Sequence, residues 1–420
     1  MYLSPEMLAK CHAASGCHMC KGTNLRLVLD LGSQPHSDDF LEEQRLSDIE
    51  FLYPLRLVSC ADCGLLQIDY FVDPEILYRV NYVYESSTTK TGTAHYRDMA
   101  AGIAKHLSNP QGKLAVDIGS NVGVLLQGFK DEGFAVLGVD PAQHAARTAN
   151  ANGIETINDF FTVETARMIR EQKGTAAVIT GTNVFAHIHS LDSATDGMRE
   201  LLASDGVIVI EAPSAMEMID KVEYDTIYHQ HIGYLSALPM KRYFEAHGLE
   251  LYDVELQEIH GGTLRYFVQH PGARTISARV DKQIAGEIAA GLYDIERLKG
   301  FGKDAKAQRI ELLTLLTDLK RAGKRIIGIS APAKGNTLLN FCHIDTTYLD
   351  YVTERNILKV GKYTPGTHIP ILNDSILDTD SPDYALLLAW NFAPEIMANL
   401  KCFSEKGGKF IIPIPRVTIV

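Results

Sequence analysis

Long apolar runs and an excess of positive charge are what this 420-residue sequence lacks, and beyond residue 63 it has only two cysteines. No run of 18 or more apolar residues occurs, so no membrane-spanning helix is expected and a membrane is not a candidate partner. The start, MYLSPEMLAKCHAASGC, shows no basic segment followed by an apolar core, and the reading is therefore a cytoplasmic protein. Lys and Arg number 40 against 52 Asp and Glu, a formal charge of -12. That balance supplies no broad basic surface to neutralise successive phosphates, which argues against nucleic acid as a partner.

What is present is enough apolar material for real cores. Apolar residues make up 46% and charged residues 22% of the chain, a composition that argues for folding rather than disorder. One core stops growing at roughly 250 to 300 residues, so two large units and a smaller one are expected.

Five of the seven cysteines fall within the first 63 residues. Cys17-His-Met-Cys20 and Cys60-Ala-Asp-Cys63 are two C-x2-C pairs, and four thiolates make a closed tetrahedral zinc site with no position left for substrate, hence a structural ion. A reducing compartment disfavours disulfides and so favours this reading. Four thiols without metal, or Cys11 or His12 replacing one ligand, are the alternatives. Cys342 and Cys402 are isolated and are read as ordinary core residues. Between the pairs, NLRLVLDLGSQP alternates like a strand and then turns.

From Gln111 the pattern KLAVDIGSNVGVLLQGFKDEGFAVLGVDPAQHAARTANANGI predicts strand, glycine-rich turn, helix, second strand and second helix. In the turn after Asp117, Gly119 lets the backbone approach a ligand and Gly123 lets the helix pack closely. The loop is not G-x-G-x-x-G: Ser120 and Asn121 stand where a pyrophosphate needs backbone clearance. S-adenosylmethionine (SAM) has no pyrophosphate and suits such a loop. Asp140, ending the second strand, is placed for the ribose hydroxyls, and Asp159 and Phe160 for the adenine. AAVITGTNVFAHIHS, a strand running into a polar turn that carries Asn183, and a further strand at DGVIVIEAP continue an open α/β sheet that binds ligands at its carboxyl ends. A dinucleotide or a degenerate scaffold is the alternative.

Two histidine clusters follow predicted strands, His187-Ile-His189 and Tyr228-His-Gln-His231. A histidine near its ordinary pKa of about 6.5 removes an activated proton at neutral pH; satisfied structural histidines, or a second metal site, are the competing readings. Two or three helices are predicted over residues 276–322, then a strand at RIIGI, a small-residue loop with Lys334, Gly335 and Asn336, a helix, a strand candidate in TYLDYVTERN, and strands at HIPIL, YALLLAW and KFIIPIP. This is a second α/β unit without the glycine pattern, whose loop lysine is placed for a phosphate or a sugar. Lys359, Lys362 and Arg416 read equally as solvated charges.

Taken together, CADCGLLQ, NYVYESS, DIGSNVG, NVFAHI, YHQHIGYLS, EIHGGTLR, SAPAKGNTLLNF, KYTPGTHIPI and LLLAWNFA resemble the C-methyltransferases that act on nucleotide-linked keto deoxy sugars, over nearly the whole chain. The resemblance implies a zinc-binding module over residues 1–75, a class I Rossmann-like SAM domain over 76–265 and a C-terminal Rossmann-like α/β domain over 266–420 that helps hold the substrate nucleotide. It also implies methylation at C3 of a nucleotide-diphosphate 4-keto-6-deoxy sugar through an enolate. His231 is then the base, with Tyr228 and His187 near the keto group, Tyr82 closing over the substrate and Gln230 placing sugar hydroxyls. The chain departs from the family at Gln230, where the family commonly has glutamate, and an amide cannot act as acid or base. Methylation at C5, at oxygen or at nitrogen, and binding without turnover, are the alternatives.

Overall fold

Continuous apolar runs and alternating ones part the strands into two kinds, and the computed structural model, which describes residues 5–80, 90–107, 109–257 and 262–420, uses each where its pattern demands. Leu114–Ile118, apolar except for Asp117, and Ile326–Ile329 are buried at every residue, as strands covered by helices on both faces must be.

The central sheet has seven strands in the order Thr156–Ile157, Ala135–Val139, Leu114–Ile118, Ala176–Thr182, Leu202–Pro213, Thr263–Gln269, Glu250–Gln257. The first five are parallel, and Thr263–Gln269 runs antiparallel to both its neighbours. Helices Val124–Asp131, Gln143–Ala151, Val163–Lys173 and Leu191–Leu201 connect the parallel strands. This is a class I methyltransferase sheet. The C-terminal sheet repeats the order: Ile371–Asn373, Val352–Glu354, Ile326–Ile329, Tyr384–Leu387 and Lys409–Ile412 are parallel, with Thr418–Ile419 antiparallel at the edge. In each sheet the strand order reverses beside the first strand, the position at which open α/β sheets bind ligands.

The alternating segment forms Leu25–Gln34, paired antiparallel with Tyr53–Cys60, which pairs in turn with Leu66–Ile68. A fourth strand of this N-terminal sheet, Gly233–Tyr234, comes from the central region. Long-range pairing of this kind is invisible to local periodicity. The helices predicted over 276–322 are two, Ala278–Ala289 and Ile295–Arg321. The second presents Leu298, Phe301 and Ala305 to a core shared with Leu29, Leu55 and Leu57 of the N-terminal sheet and with Ile326 and Leu386 of the C-terminal one. Gly302 makes the approach possible, since a Cβ there would lie 2.5 Å from the Val28 carbonyl oxygen. Cys342 is buried as expected, but Cys402 is exposed: the short helix Lys401–Glu405 turns Phe403 inward instead. Among the described residues no helix is long and apolar enough to cross a membrane.

Candidate active site

The carboxyl ends of the central and C-terminal sheets line one cavity of about 1050 Å³, to which the N-terminal module adds Asp38 and Asp73. Asp117, Gly119, Ser120, Asp140, Phe160 and Asn183 line it together with His187, Tyr228, Gln230 and His231, so residues up to 114 positions apart in sequence share one space.

On the central side, Gly119 and Gly123 have positive φ, and a Cβ at either would strike Val184 or Ile154. Gly123 begins the helix Val124–Asp131 and contributes by packing, outside the cavity wall. Asp117 accepts from the Thr180 hydroxyl at 2.6 Å, and burial pushes its pKa up to about 7. Asp140 accepts from the backbone N–H groups of Asn121 and Ala142, both at 2.8 Å, and burial raises it to about 6. Each of its oxygens keeps acceptor capacity for a hydroxyl. Asp159 departs from expectation: it does not line the cavity, and its carboxylate accepts from Arg79, which lies over the Phe160 ring at 5.1 Å. Phe160 lies on the wall. Ser120 Oγ, Thr182 Oγ1 and Asn183 Oδ1 are buried on cavity residues with no hydrogen-bond partner among the described residues. Such atoms are costly unless a ligand meets them. Acceptors, hydroxyls and an aromatic wall suit SAM, whose ribose and charged methionine end need those groups.

The loop after residue 226 sets the chemistry. The Tyr228 hydroxyl lies 2.7 Å from His231 Nε2, and His231 Nδ1 lies 2.8 Å from the Thr226 carbonyl oxygen. That carbonyl only accepts, so Nδ1 carries the hydrogen and Nε2 the lone pair. Burial pushes His231 down to about 4, which keeps it neutral at pH 7. The His187 ring lies 4.7 Å from that of His231, and burial lowers its pKa well below the ordinary value. His229 belongs elsewhere: it is buried against Tyr53 and bonds the Pro54 carbonyl. His189 bonds the Val72 carbonyl. Gln230 gives its amide to residues 36–38 of the N-terminal module. Tyr82 lies outside the described residues.

The four cysteines Cys17, Cys20, Cys60 and Cys63 bring their sulfurs within 4.8 Å of one another, with Cys17 to Cys63 and Cys20 to Cys60 both at 3.5 Å. Zinc–sulfur bonds of about 2.3 Å hold four sulfurs about 3.8 Å apart, so the cluster fits a tetrahedral ion. Cys11 is engaged with Met7 and Asp73 instead, and His12 packs on Phe71. The module reaches the active site through its first pair, where His18 Nε2 donates to the Ile188 carbonyl, 2.8 Å away, next to His187.

Sequence reasoning missed several groups that matter here. Glu211 is fully buried and accepts from His95 at 2.6 Å and from Arg265 at 2.8 and 2.7 Å. Asp225 is equally buried, accepts from Trp390 Nε1 at 2.7 Å, and stands 3.9 Å from Lys334 Nζ, itself over the Trp390 ring at 4.3 Å. Arg355 and Asn356 join Lys334 on the C-terminal wall. Lys359 also lines the cavity, with its ammonium on the Ala331 carbonyl, whereas Lys362 and Arg416 stand outside it. The partners of these ion groups are 54 to 165 residues away in sequence, and no local pattern marks them.

Comparison with known proteins agrees with this arrangement. Residues 17–78 match a zinc binding domain, 93–254 a methyltransferase domain, and 258–415 the C-methyltransferase C-terminal domain. The C-methyltransferase NovU of Streptomyces niveus is 33% identical over 405 residues, 96% of each chain. Among solved structures, magnesium protoporphyrin IX methyltransferase of Synechocystis PCC 6803 with bound SAM covers 45% of this chain and 88% of its own at 10% identity and a TM-score of 0.33. A SAM-dependent methyltransferase of Clostridium acetobutylicum covers 43% and 92% at 11% and 0.34; neither likeness is close enough to bear on function. With three domain matches in order and a relative aligned over nearly its whole length, this chain belongs to the three-part C-methyltransferase family, as an enzyme that uses SAM and carries a structural zinc ion.

Proposed function

We propose that the enzyme methylates C3 of a nucleotide-linked 4-keto-6-deoxy sugar through an enolate. The observation that carries this reading is the Tyr228–His231 pair, a neutral imidazole whose Nε2 lone pair faces a phenol at 2.7 Å inside the cavity. Methylating oxygen needs little help with its proton, whereas a carbon acid needs a base against an activated C–H. A ketone at C4 provides that activation.

In this reading His231 Nε2 takes the C3 proton, and the electron pair of the broken C–H bond moves into the enolate. Nε2–H then donates to the Tyr228 oxygen, which frees the phenol hydrogen to turn to the enolate oxygen. His187, beside His231, limits how the sugar ring can lie. SAM, when bound, supplies a methyl group on a sulfonium sulfur, which keeps the electron pair of the breaking S–C bond as C3 takes the methyl. Asp140 would hold its ribose, Phe160 its adenine, and Asp117, Ser120 and Asn183 its polar end. Lys334 and Arg355 supply positive charge on the opposite wall, where the substrate diphosphate would lie. A Gly123 side chain would disturb the helix start, not the ligand. The domain limits proposed are residues 1–75, 76–265 and 266–420.

The test is mass spectrometry of turnover with SAM in deuterated water on a panel of nucleotide-linked 4-keto-6-deoxy sugars. A methyl joined carbon to carbon at C3, with deuterium exchanged into unmethylated substrate at that position, is the expected result. A methyl on oxygen, on nitrogen or at C5, or no product across thymidine, cytidine, guanosine and uridine diphosphate sugars, overturns the assignment.

A further inference from the structure

Gln230 spends every atom of its amide on one loop of the N-terminal module. Its Nε2 donates to Asp38 Oδ2 at 2.8 Å and to His36 Nε2 at 2.9 Å, and its Oε1 accepts from the Ser37 hydroxyl at 3.1 Å. All four residues are at most 6% exposed. Burial holds His36 neutral, as an acceptor requires. The same loop is gripped from the third domain, where Asn336 Nδ2 donates to the Ser37 carbonyl at 2.6 Å. Residues 36–38 are thus the point at which the zinc module, the catalytic loop and the C-terminal domain are joined by hydrogen bonds. Asp38 also lines the cavity that holds His231.

The arrangement fixes the amide's orientation. A flipped Gln230 would point its oxygen at the Asp38 carboxylate and at the His36 lone pair. A glutamate at 230 would do the same with a full charge, and two buried carboxylates at that distance cannot both ionise. The node therefore has room for one carboxyl group, and in this chain position 38 supplies it.

We propose that Asp38 is the positioning carboxylate of the catalytic loop, and that positions 38 and 230 form one acid–amide pair in which the acid can stand on either side. Acting through Gln230, Asp38 sets the backbone between Tyr228 and His231, and its charge on the cavity wall offsets the imidazolium that proton abstraction creates. This last role rests on the enolate reading above; the pairing does not.

Four proteins decide the matter: wild type, Gln230→Glu, Asp38→Asn, and the double variant. Thermal unfolding of the zinc-loaded full chain, S-adenosylhomocysteine binding by calorimetry, and kcat with KM for SAM are measured on each. Gln230→Glu should lower the unfolding temperature and the turnover together. Asp38→Asn should lower kcat about tenfold or more while S-adenosylhomocysteine affinity stays within about twofold. Exchanging the two should restore the unfolding temperature and bring kcat back to within about threefold of wild type, a recovery that independent damage at two sites cannot produce. A double variant no better than the worse single one, or a Gln230→Glu enzyme indistinguishable from wild type, overturns the proposal. Should wild type turn over no sugar in the panel, the sugar assignment fails by itself, and the unfolding temperatures still decide the pairing: recovery in the double variant supports it and additive loss sinks it.

Discussion

His229 and His231 stand two positions apart and meet opposite fates, one packed on Tyr53 under the N-terminal sheet and one facing the cavity against Tyr228. Only the second can exchange a proton with a ligand. Tyr228→Phe removes the hydroxyl without opening space and should lower kcat by about 10²- to 10³-fold, the usual cost of losing one oxyanion donor, while S-adenosylhomocysteine affinity measured by calorimetry stays unchanged. Proton linkage gives a second prediction. Asp117, raised to about 7, and Asp140, raised to about 6, hold protons in the folded enzyme that they lack when unfolded. Their contribution to stability is therefore full below about pH 4 and is lost as pH rises through 6 to 7. A cationic cofactor favours the ionised carboxylates, so SAM affinity should rise between pH 5.5 and 7.5, with protons released on binding. Affinity flat over that range would remove Asp117 and Asp140 from the cofactor's surroundings.

At the scale of elements, the zinc module acts on the active site by strand pairing as well as by His18. Leu66–Ile68 pairs with Gly233–Tyr234, Ile68 N–H donates to the Ile232 carbonyl, and Ile232 N–H donates to that of Ala186. These bonds run from the cysteine cluster to both histidine loops. Stripping zinc with a chelator should therefore raise amide hydrogen exchange at residues 186–188 and 231–235 as well as around the cysteines, read by mass spectrometry. Exchange confined to residues 17–63 would show the two to be independent. The helix Ala237–Ala246 that follows the catalytic loop starts against a borrowed acceptor: buried Glu287 takes the Ala237 N–H at 2.9 and 3.0 Å and the Tyr293 hydroxyl at 2.5 Å. Its own N-cap residue, Ser236, makes no capping bond. The spacing of Met240, Tyr243 and Phe244 marks this helix in the sequence, whereas nothing local marks its cap, 50 residues downstream.

On the scale of the whole molecule, the C-terminal domain is tied to the catalytic loop through Asp225, Trp390 and Lys334. Trp390→Phe keeps the aromatic surface and removes the indole donor, leaving a buried carboxylate whose other oxygen has no hydrogen-bond partner among the described residues. The expected loss is about 1 to 3 kcal/mol of stability, seen as a lower Tm, with a larger effect on KM for the sugar nucleotide than for SAM. An unchanged Tm would mean that Lys334 or solvent satisfies Asp225 instead. Glu211 behaves differently, since its partners His95 and Arg265 hold its pKa below the ordinary value despite burial. Its contribution to stability is present above about pH 4.5 and is lost as pH falls through the lowered value.

The local text of the chain determined a good deal by itself: two α/β units from their apolar runs and turns, the cysteine quartet from its spacing, and the cofactor loop from Gly119 and Gly123, because each depends on residues close in sequence. Tertiary structure alone decided which histidine faces the cavity, that Asp159 turns to Arg79, that Gln230 answers Asp38, and that Glu211, Asp225 and Lys334 are paired inside. Those outcomes depend on partners brought together from 54 to 194 positions away. The side chains involved are polar groups whose burial is tolerable only once such a partner is in place, and that condition leaves no periodic trace in the chain.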